Sequence, residues 1–236
     1  MDSKLFYNRN AGKYDERHDT KRANYMRSVE TLLLKKFAKG MTLDIGCGTG
    51  QNMGYATLGI DISAEMLKKA KKKGYENLVQ ARAEGLPFKN ESFESVICMF
   101  TVLNLCDYEK AVIEMHRVLK KGGKAIVSTA SIWDHSRKTL LTRLLSKRKS
   151  HVLRMRIEKF RFNFFAFTKD ELIKLFCNFR LVRFYGIFIF ANTHWGWKRD
   201  FAFHERLKLK IAFILDRFLQ SFNHAARVYF AVFEKI

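Results

Sequence analysis

The stretch Leu43-Asp44-Ile45-Gly46-Cys47-Gly48-Thr49-Gly50 decides the fold: a short apolar strand passes through a carboxylate into three glycines at alternate positions. Glycines so placed let the backbone turn sharply and approach a ligand at contact distance, which a side chain would block. We read it as a cofactor loop. A G-x-x-x-x-G-K-[ST] phosphate loop is excluded, because no Lys-Ser or Lys-Thr follows at the required spacing. The dinucleotide fingerprint G-x-G-x-x-G also fails, since Gln51 stands where its third glycine belongs.

The neighbours of the loop follow in a telling order. Thr57-Leu58-Gly59-Ile60-Asp61-Ile62-Ser63 reads as a second buried strand ending in a carboxylate, and Asp61 there can accept both hydroxyl hydrogens of a ribose. Its alternative is local: Asp61 and Ser63 would also suit the start of the next helix as caps. Ala81-Arg82-Ala83-Glu84-Gly85-Leu86-Pro87-Phe88 comes next, then Ser92 to Phe100, then Glu114-Met115-His116-Arg117-Val118-Leu119-Lys120-Lys121-Gly122-Gly123-Lys124.

With these segments the chain resembles the class I S-adenosylmethionine-dependent methyltransferases of the type 11 kind, over residues 43 to 129. The resemblance implies an α/β, Rossmann-like doubly wound sheet, mostly parallel with an antiparallel C-terminal hairpin. It implies S-adenosyl-L-methionine as co-substrate, with Asp44 steadying the glycine loop. It places Asp44, Gly46, Cys47, Gly48, Gly50, Asp61, Ile62, Ala83, Glu84 and Met99 around that molecule. Two departures stand out. Many relatives carry an Asp beside the Ala of the loop after the third strand, where this chain has Arg82, so the adenine contact passes to the Ala83 backbone or to Glu84. Residues 51 to 56 are also too few for the usual three-turn helix at about 3.6 residues per turn. One turn or a loop is expected, its Gly50 to Met53 amides facing the cofactor carboxylate.

At 236 residues and 47% apolar content, without a Pro/Ser/Gly linker, the chain reads as one domain. We divide it into an N-terminal lid and helix (1–40), a cofactor-binding core (41–130) and an acceptor-side segment with a helical insertion (131–236). Cys47, Cys98, Cys106 and Cys177 form no C-x-x-C pair, which argues against zinc and any other metal site. No 18-residue apolar run and no N-terminal signal segment are seen, so a reduced, cytoplasmic protein without a transmembrane segment is expected. Helices are expected over 22–38, 64–73 behind a Ser63 cap, and Tyr108 to Leu119 with Gly122 ending it. Thr168-Lys169-Asp170-Glu171 reads as a capping box opening a helix to about Cys177. Arg180 to Phe190 and Val228 to Phe233 read as the terminal strands, with an inserted helix over 204–222.

Methyl transfer from a sulfonium depends chiefly on alignment, because the leaving group departs neutral. A base is required only where the acceptor must lose a proton. Candidates are His135, beside Trp133 and Asp134 beyond the fifth strand, Tyr14 in the lid-like segment Phe6 to Asp15, which also carries Tyr7, and His18 just after it. The ordinary readings are a loop histidine and helix packing, and His116 reads as solvated surface.

The acceptor side is strongly basic. Net charge is +21, and residues 133–236 alone hold 22 basic and 8 acidic residues together with 17 of the 22 phenylalanines. Basic residues interleaved with aromatics suit anionic lipid or single-stranded RNA; in the plain alternative, lysine-rich composition is global and the phenylalanines are core. We read the acceptor as a hydrophobic or lipid-like small molecule entering between Phe160, Phe162, Phe164, Phe165, Phe167 and the aromatics of 188–203. Peripheral contact with an anionic membrane goes with that reading. A tRNA or other RNA methyltransferase is the alternative, and a non-catalytic cofactor-binding subunit the second.

Overall fold

The computed structural model describes residues 3–134, 140–145, 149–157, 160–189, 211, 214–215, 218 and 220–236. A seven-stranded sheet forms its centre, in the order β3-β2-β1-β4-β5-β9-β8. Strands β1 (Thr42–Ile45), β2 (Leu58–Asp61), β3 (Leu78–Gln80), β4 (Phe93–Cys98) and β5 (Leu119–Ala130) run parallel. Strand β9 (Val228–Lys235) lies antiparallel between β5 and β8 (Phe179–Ile187), which makes the expected C-terminal hairpin.

The central strands read as near-continuous apolar runs because both faces are covered. Leu43, Ile45, Val96, Cys98, Ala125 and Val127 point to one face and bury against Leu103 of α5 (Val102–Leu105) and Met115 and Val118 of α6 (Tyr108–Val118). Ile97, Met99 and Ile126 point to the other and meet Leu33 and Leu34 of α3 (Lys21–Phe37). This period-two division is what puts Asp44, between Leu43 and Ile45, on the α3 face.

Helix starts follow the side-chain caps. Thr20 Oγ1 accepts from the Ala23 N–H at α3, Ser63 Oγ from the Met66 N–H at α4 (Ala64–Lys72), and Asp107 from the Lys110 N–H at α6. Helix α6 stops earlier than its glycine suggested: Leu119 is already extended and pairs with Phe93, so Gly122 at φ 76° shapes a bend inside β5. At α8 (Lys169–Leu175), Thr168 Oγ1 accepts from the Glu171 N–H at 3.3 Å. The return bond of the capping box is diverted: Glu171 Oε2 takes the Ser150 N–H at 2.8 Å, and the Thr168 N–H goes to Ser150 Oγ.

One element lies outside what the pattern announced. His151–Ile157 (β6) and Phe160–Ala166 (β7) form a separate two-stranded antiparallel sheet. Its buried face carries Phe160, Phe162 and Phe164, and Phe6 of α1 (Ser3–Asn10) packs edge-on against Phe160 and Phe162 at 5.4 and 5.0 Å. These phenylalanines, with Phe167 and Phe188, are therefore core and line no entrance; Phe165 is half-buried against Tyr108. His116 is half-buried too, edge-on to Phe179 at 5.1 Å, rather than solvated. Residues 190–203 lie outside the described residues; within the inserted helix expected over 204–222, the described Ile211, Ile214, Leu215 and Phe218 are helical, and Gln220–Ala225 is a 3₁₀ turn.

Candidate functional site

A cleft of about 770 Å³, its open mouth included, lies at the C-terminal ends of β1, β2 and β4. Open parallel sheets place ligands at this edge, where strand order reverses between β1 and β4. Its floor is the glycine loop. Gly46, Gly48 and Gly50 have φ of 72°, 54° and 84°, a region open to glycine at little cost. A Cβ on Gly46 would stand 2.4 Å from Val102 Cγ2, so that position has no room for a side chain. The Gly46 and Cys47 N–H groups both donate to the Ile60 carbonyl at 2.8 Å, which clamps the loop onto β2.

Asp61 completes the clamp. Its Oδ2 accepts the Gly48 N–H at 2.9 Å and its Oδ1 the Ser63 N–H at 2.8 Å, while the residue lines the cleft. Burial pushes its pKa up, opposed by those backbone N–H groups. With the backbone N–H groups of Ser63, Gly48 and Ile62 around a carboxylate of about four acceptor sites, capacity for a ligand hydroxyl remains. Gly46, Gly48, Ile62, Ala83, Glu84 and Met99 also line the cleft. Glu84 Oε1 is engaged by Arg82 at 3.1 Å and by the Asp107 N–H at 3.2 Å. Cys47 and Gly50 do not reach the cleft wall. The Cys47 thiol is buried against Ala70 and Tyr75, and a Cβ on Gly50 would touch the same two residues.

Beneath the loop, on the α3 face, lies a set of under-partnered polar groups. Asp44 is fully buried; Asn52 is beside it, but neither carboxylate oxygen has a hydrogen bond of normal geometry. Burial pushes its pKa up to about 8, Asn52 opposing and Asp61 reinforcing. Glu30, on α3, is buried with Oε1 unbonded, and burial together with Asp44 raises it to about 8 against the pull of Arg27. The Arg27 Nε is likewise buried without an acceptor. These buried atoms lack hydrogen bonds, which is costly for charged groups, and none of Asp44, Glu30 and Arg27 lines the cleft; burial keeps the two acids protonated up to about pH 8.

The N-terminal segment closes over this floor. Asn8 Oδ1 accepts from Ser63 Oγ at 2.6 Å. Asp15, in α2 (Tyr14–His18), accepts from Thr49 Oγ1 at 2.6 Å and Gln51 Nε2 at 2.9 Å, and pairs with Lys73 at 2.7 Å. Burial acts to raise the Asp15 pKa, but Lys73, Thr49 and Gln51 outweigh it and hold the carboxyl below its usual value. Tyr14 and Tyr7 line the cleft, their phenols raised by burial, and the Tyr7 hydroxyl is 3.4 Å from Thr101 Oγ1. His18 sits outside, exposed, with its ring 4.1 Å from that of Tyr14. His135 lies outside the described residues.

Between Gly50 and β2 the chain makes successive turns and no helix, as its length demanded. The Met53 N–H folds back to the Gly50 carbonyl at 3.4 Å and the Tyr55 N–H to Asn52 at 2.8 Å. The steadying that a helix would provide comes instead from Asp15, a residue that composition and spacing left unmarked. Phe100, next to Met99 on the wall, has φ 60° and donates its N–H to Ser128 Oγ at 2.7 Å. Nothing in a phenylalanine announces that conformation, because only Gly and Asn signal it by type.

Residues 43–127 match the methyltransferase domain family. An uncharacterised protein of Methanocaldococcus jannaschii is 43% identical over 138 residues, 57% of this chain and 54% of its own. A phosphatidylethanolamine N-methyltransferase of Cereibacter sphaeroides is 37% identical over 100 residues, 37% of this chain and 49% of its own. The chain spans about half the length of the curated relatives it matches. In fold it is similar to an S-adenosylmethionine-dependent methyltransferase of Thermotoga maritima, with a TM-score of 0.62 and 21% identity over 98% of this chain and 99% of that one.

Proposed function

We propose that this chain is a class I S-adenosylmethionine-dependent methyltransferase that transfers a methyl group from S-adenosylmethionine to a hydrophobic or lipid-like small molecule, a reading supported by the methyltransferase domain match over residues 43–127 and by the fold. The observation that carries the co-substrate reading is the Gly46–Gly50 loop held by Asp61 at the C-terminal edge of β1 and β2. Asp61 would accept from the ribose hydroxyls, and Ala83 and Glu84 would flank the adenine. When bound, the sulfonium supplies an already activated methyl group. The chain's own work is then alignment and exclusion of water: the lid helices α1 and α2 close the cleft, and the Tyr7–Thr101 pair offers the acceptor a polar contact.

The acceptor reading is supported by the apolar wall of Met99, Phe100, Val102, Leu105 and Cys106. Among the described lining residues the acids are Asp61 and Glu84, both hydrogen-bonded already, and no histidine is present. Such a wall suits a nucleophile needing little help in losing a proton. The relative acting on phosphatidylethanolamine fits a lipid-like acceptor. An RNA acceptor is the second reading, favoured by the excess of 22 basic over 8 acidic residues in 133–236. The test is transfer of labelled methyl groups into lipid, RNA and protein fractions, beside calorimetric binding of S-adenosylmethionine. Label in RNA with none in lipid would replace the first acceptor by the second, and binding without transfer to any fraction would point to a cofactor-binding subunit.

A further inference from the structure

The C-terminal portion turns large apolar side chains toward solvent in two neighbouring places. On α7 (Leu140–Leu145), Leu141 and Leu145 are 65% and 75% exposed, one helical turn apart. Arg143 between them is buried and donates to the carbonyls of Phe188, Ala225 and Ile189. That guanidinium fastens α7 to the 3₁₀ turn Gln220–Ala225, so the outward aim of both leucines is built into the fold. The same turn carries Phe222, 39% exposed, and Phe218 and Ile214, 75% and 56% exposed, precede it at four-residue spacing. In the sequence Lys147-Arg148-Lys149 follow Leu145, Lys149 being exposed, and residues 137–161 hold ten Lys or Arg, the buried Arg143 included, against one acid.

We propose that this face docks on the surface of an anionic lipid bilayer. A second copy of the chain is a poor occupant, because it would set one uncompensated cationic segment against another. Nucleic acid would satisfy the lysines and arginines, but Leu141, Leu145 and Ile214 offer neither a stacking surface nor a hydrogen bond to it. A bilayer interface meets both demands: apolar side chains enter the acyl boundary while cations remain at the phosphate level. No described helix is long and apolar enough to cross a membrane, so the contact is peripheral. The inference concerns where the protein works and does not depend on the identity of the acceptor.

The test is flotation of the whole protein with phosphatidylcholine vesicles, with and without phosphatidylglycerol. The chain should bind the phosphatidylglycerol vesicles, and added salt should weaken that binding. The double variant Leu141→Ser, Leu145→Ser should partition about tenfold more weakly, from the lost apolar burial, with its melting temperature and affinity for S-adenosylhomocysteine unchanged. Lys149→Glu should lower binding to anionic vesicles alone. No flotation of the wild-type chain, or equal flotation of the double variant, overturns the proposal. So does a concentration-dependent dimer abolished by the serines, or RNA binding lost in the same variant. Absence of S-adenosylhomocysteine binding would instead strike the methyltransferase reading and leave the vesicle result standing.

Discussion

Gly48 has φ 54° and open space where a Cβ would project, so valine there brings both backbone strain and bulk toward the cleft. Gly48→Val should abolish S-adenosylmethionine binding while leaving a cooperative unfolding transition, and unchanged affinity by calorimetry would refute the site. Asp61→Ala removes the acceptor of two backbone N–H groups as well as the ribose partner we propose. It should weaken binding by about 1.5 to 3 kcal/mol, as for bonds to a charged group. Glu30 and Asp44 carry a different consequence. Both are raised to about 8, so between roughly pH 4.5 and pH 8 the folded chain holds protons that the unfolded chain has released. Stability of the ligand-free protein should therefore fall as pH rises through that window, and Glu30→Gln should flatten the slope. Melting curves across pH that rise instead, or a variant as steep as the parent, would refute the buried pair. Asp61 and the glycines were legible because residue type alone encodes their capability. Glu30 and Arg27 were not, because in a helix their burial depends on which face meets Asp44, and that is set by tertiary packing.

At the scale of elements, the lid is held by few bonds, and Asp15 makes three of them to Thr49, Gln51 and Lys73. Asp15→Ala should loosen residues 3–18 over the glycine loop. We expect about three- to tenfold weaker co-substrate affinity, from one or two charge-assisted bonds of partial exposure, and faster cleavage within that segment under limited proteolysis. Wild-type cleavage rates with wild-type affinity would show that Asp15 is ornamental. Helix α4 was readable because Ser63 announces its start, and α6 because apolar spacing marks its face; Thr20 and Asp107 turn out to cap α3 and α6 in the same way. The hairpin β6–β7 was not. The sequence between its strands, Glu158-Lys159, carries no glycine or asparagine, and its alternating phenylalanines read equally as a binding surface until α1 is seen packed on them.

The net charge of +21 belongs to no single element. Several cations are neutralised locally: Arg117 with Glu114 at 2.7 Å, Lys73 with Asp15, and Arg180 and Lys124 both on Glu234. With 44 basic residues against 23 acidic ones, an excess of 21 positive charges remains whatever the pairing. Like charges at this density repel at the range of the Debye length, and compaction brings them closer than in the unfolded state. Screening should therefore matter more than the loss of surface pairs, each worth under about 1 kcal/mol. Raising sodium chloride from about 0.01 to about 0.2 M, which shortens the Debye length from roughly 30 to below 8 Å, should raise the melting temperature. A fall over the same range would mean that local ion pairs, and not the unmatched excess, dominate the electrostatics of the fold.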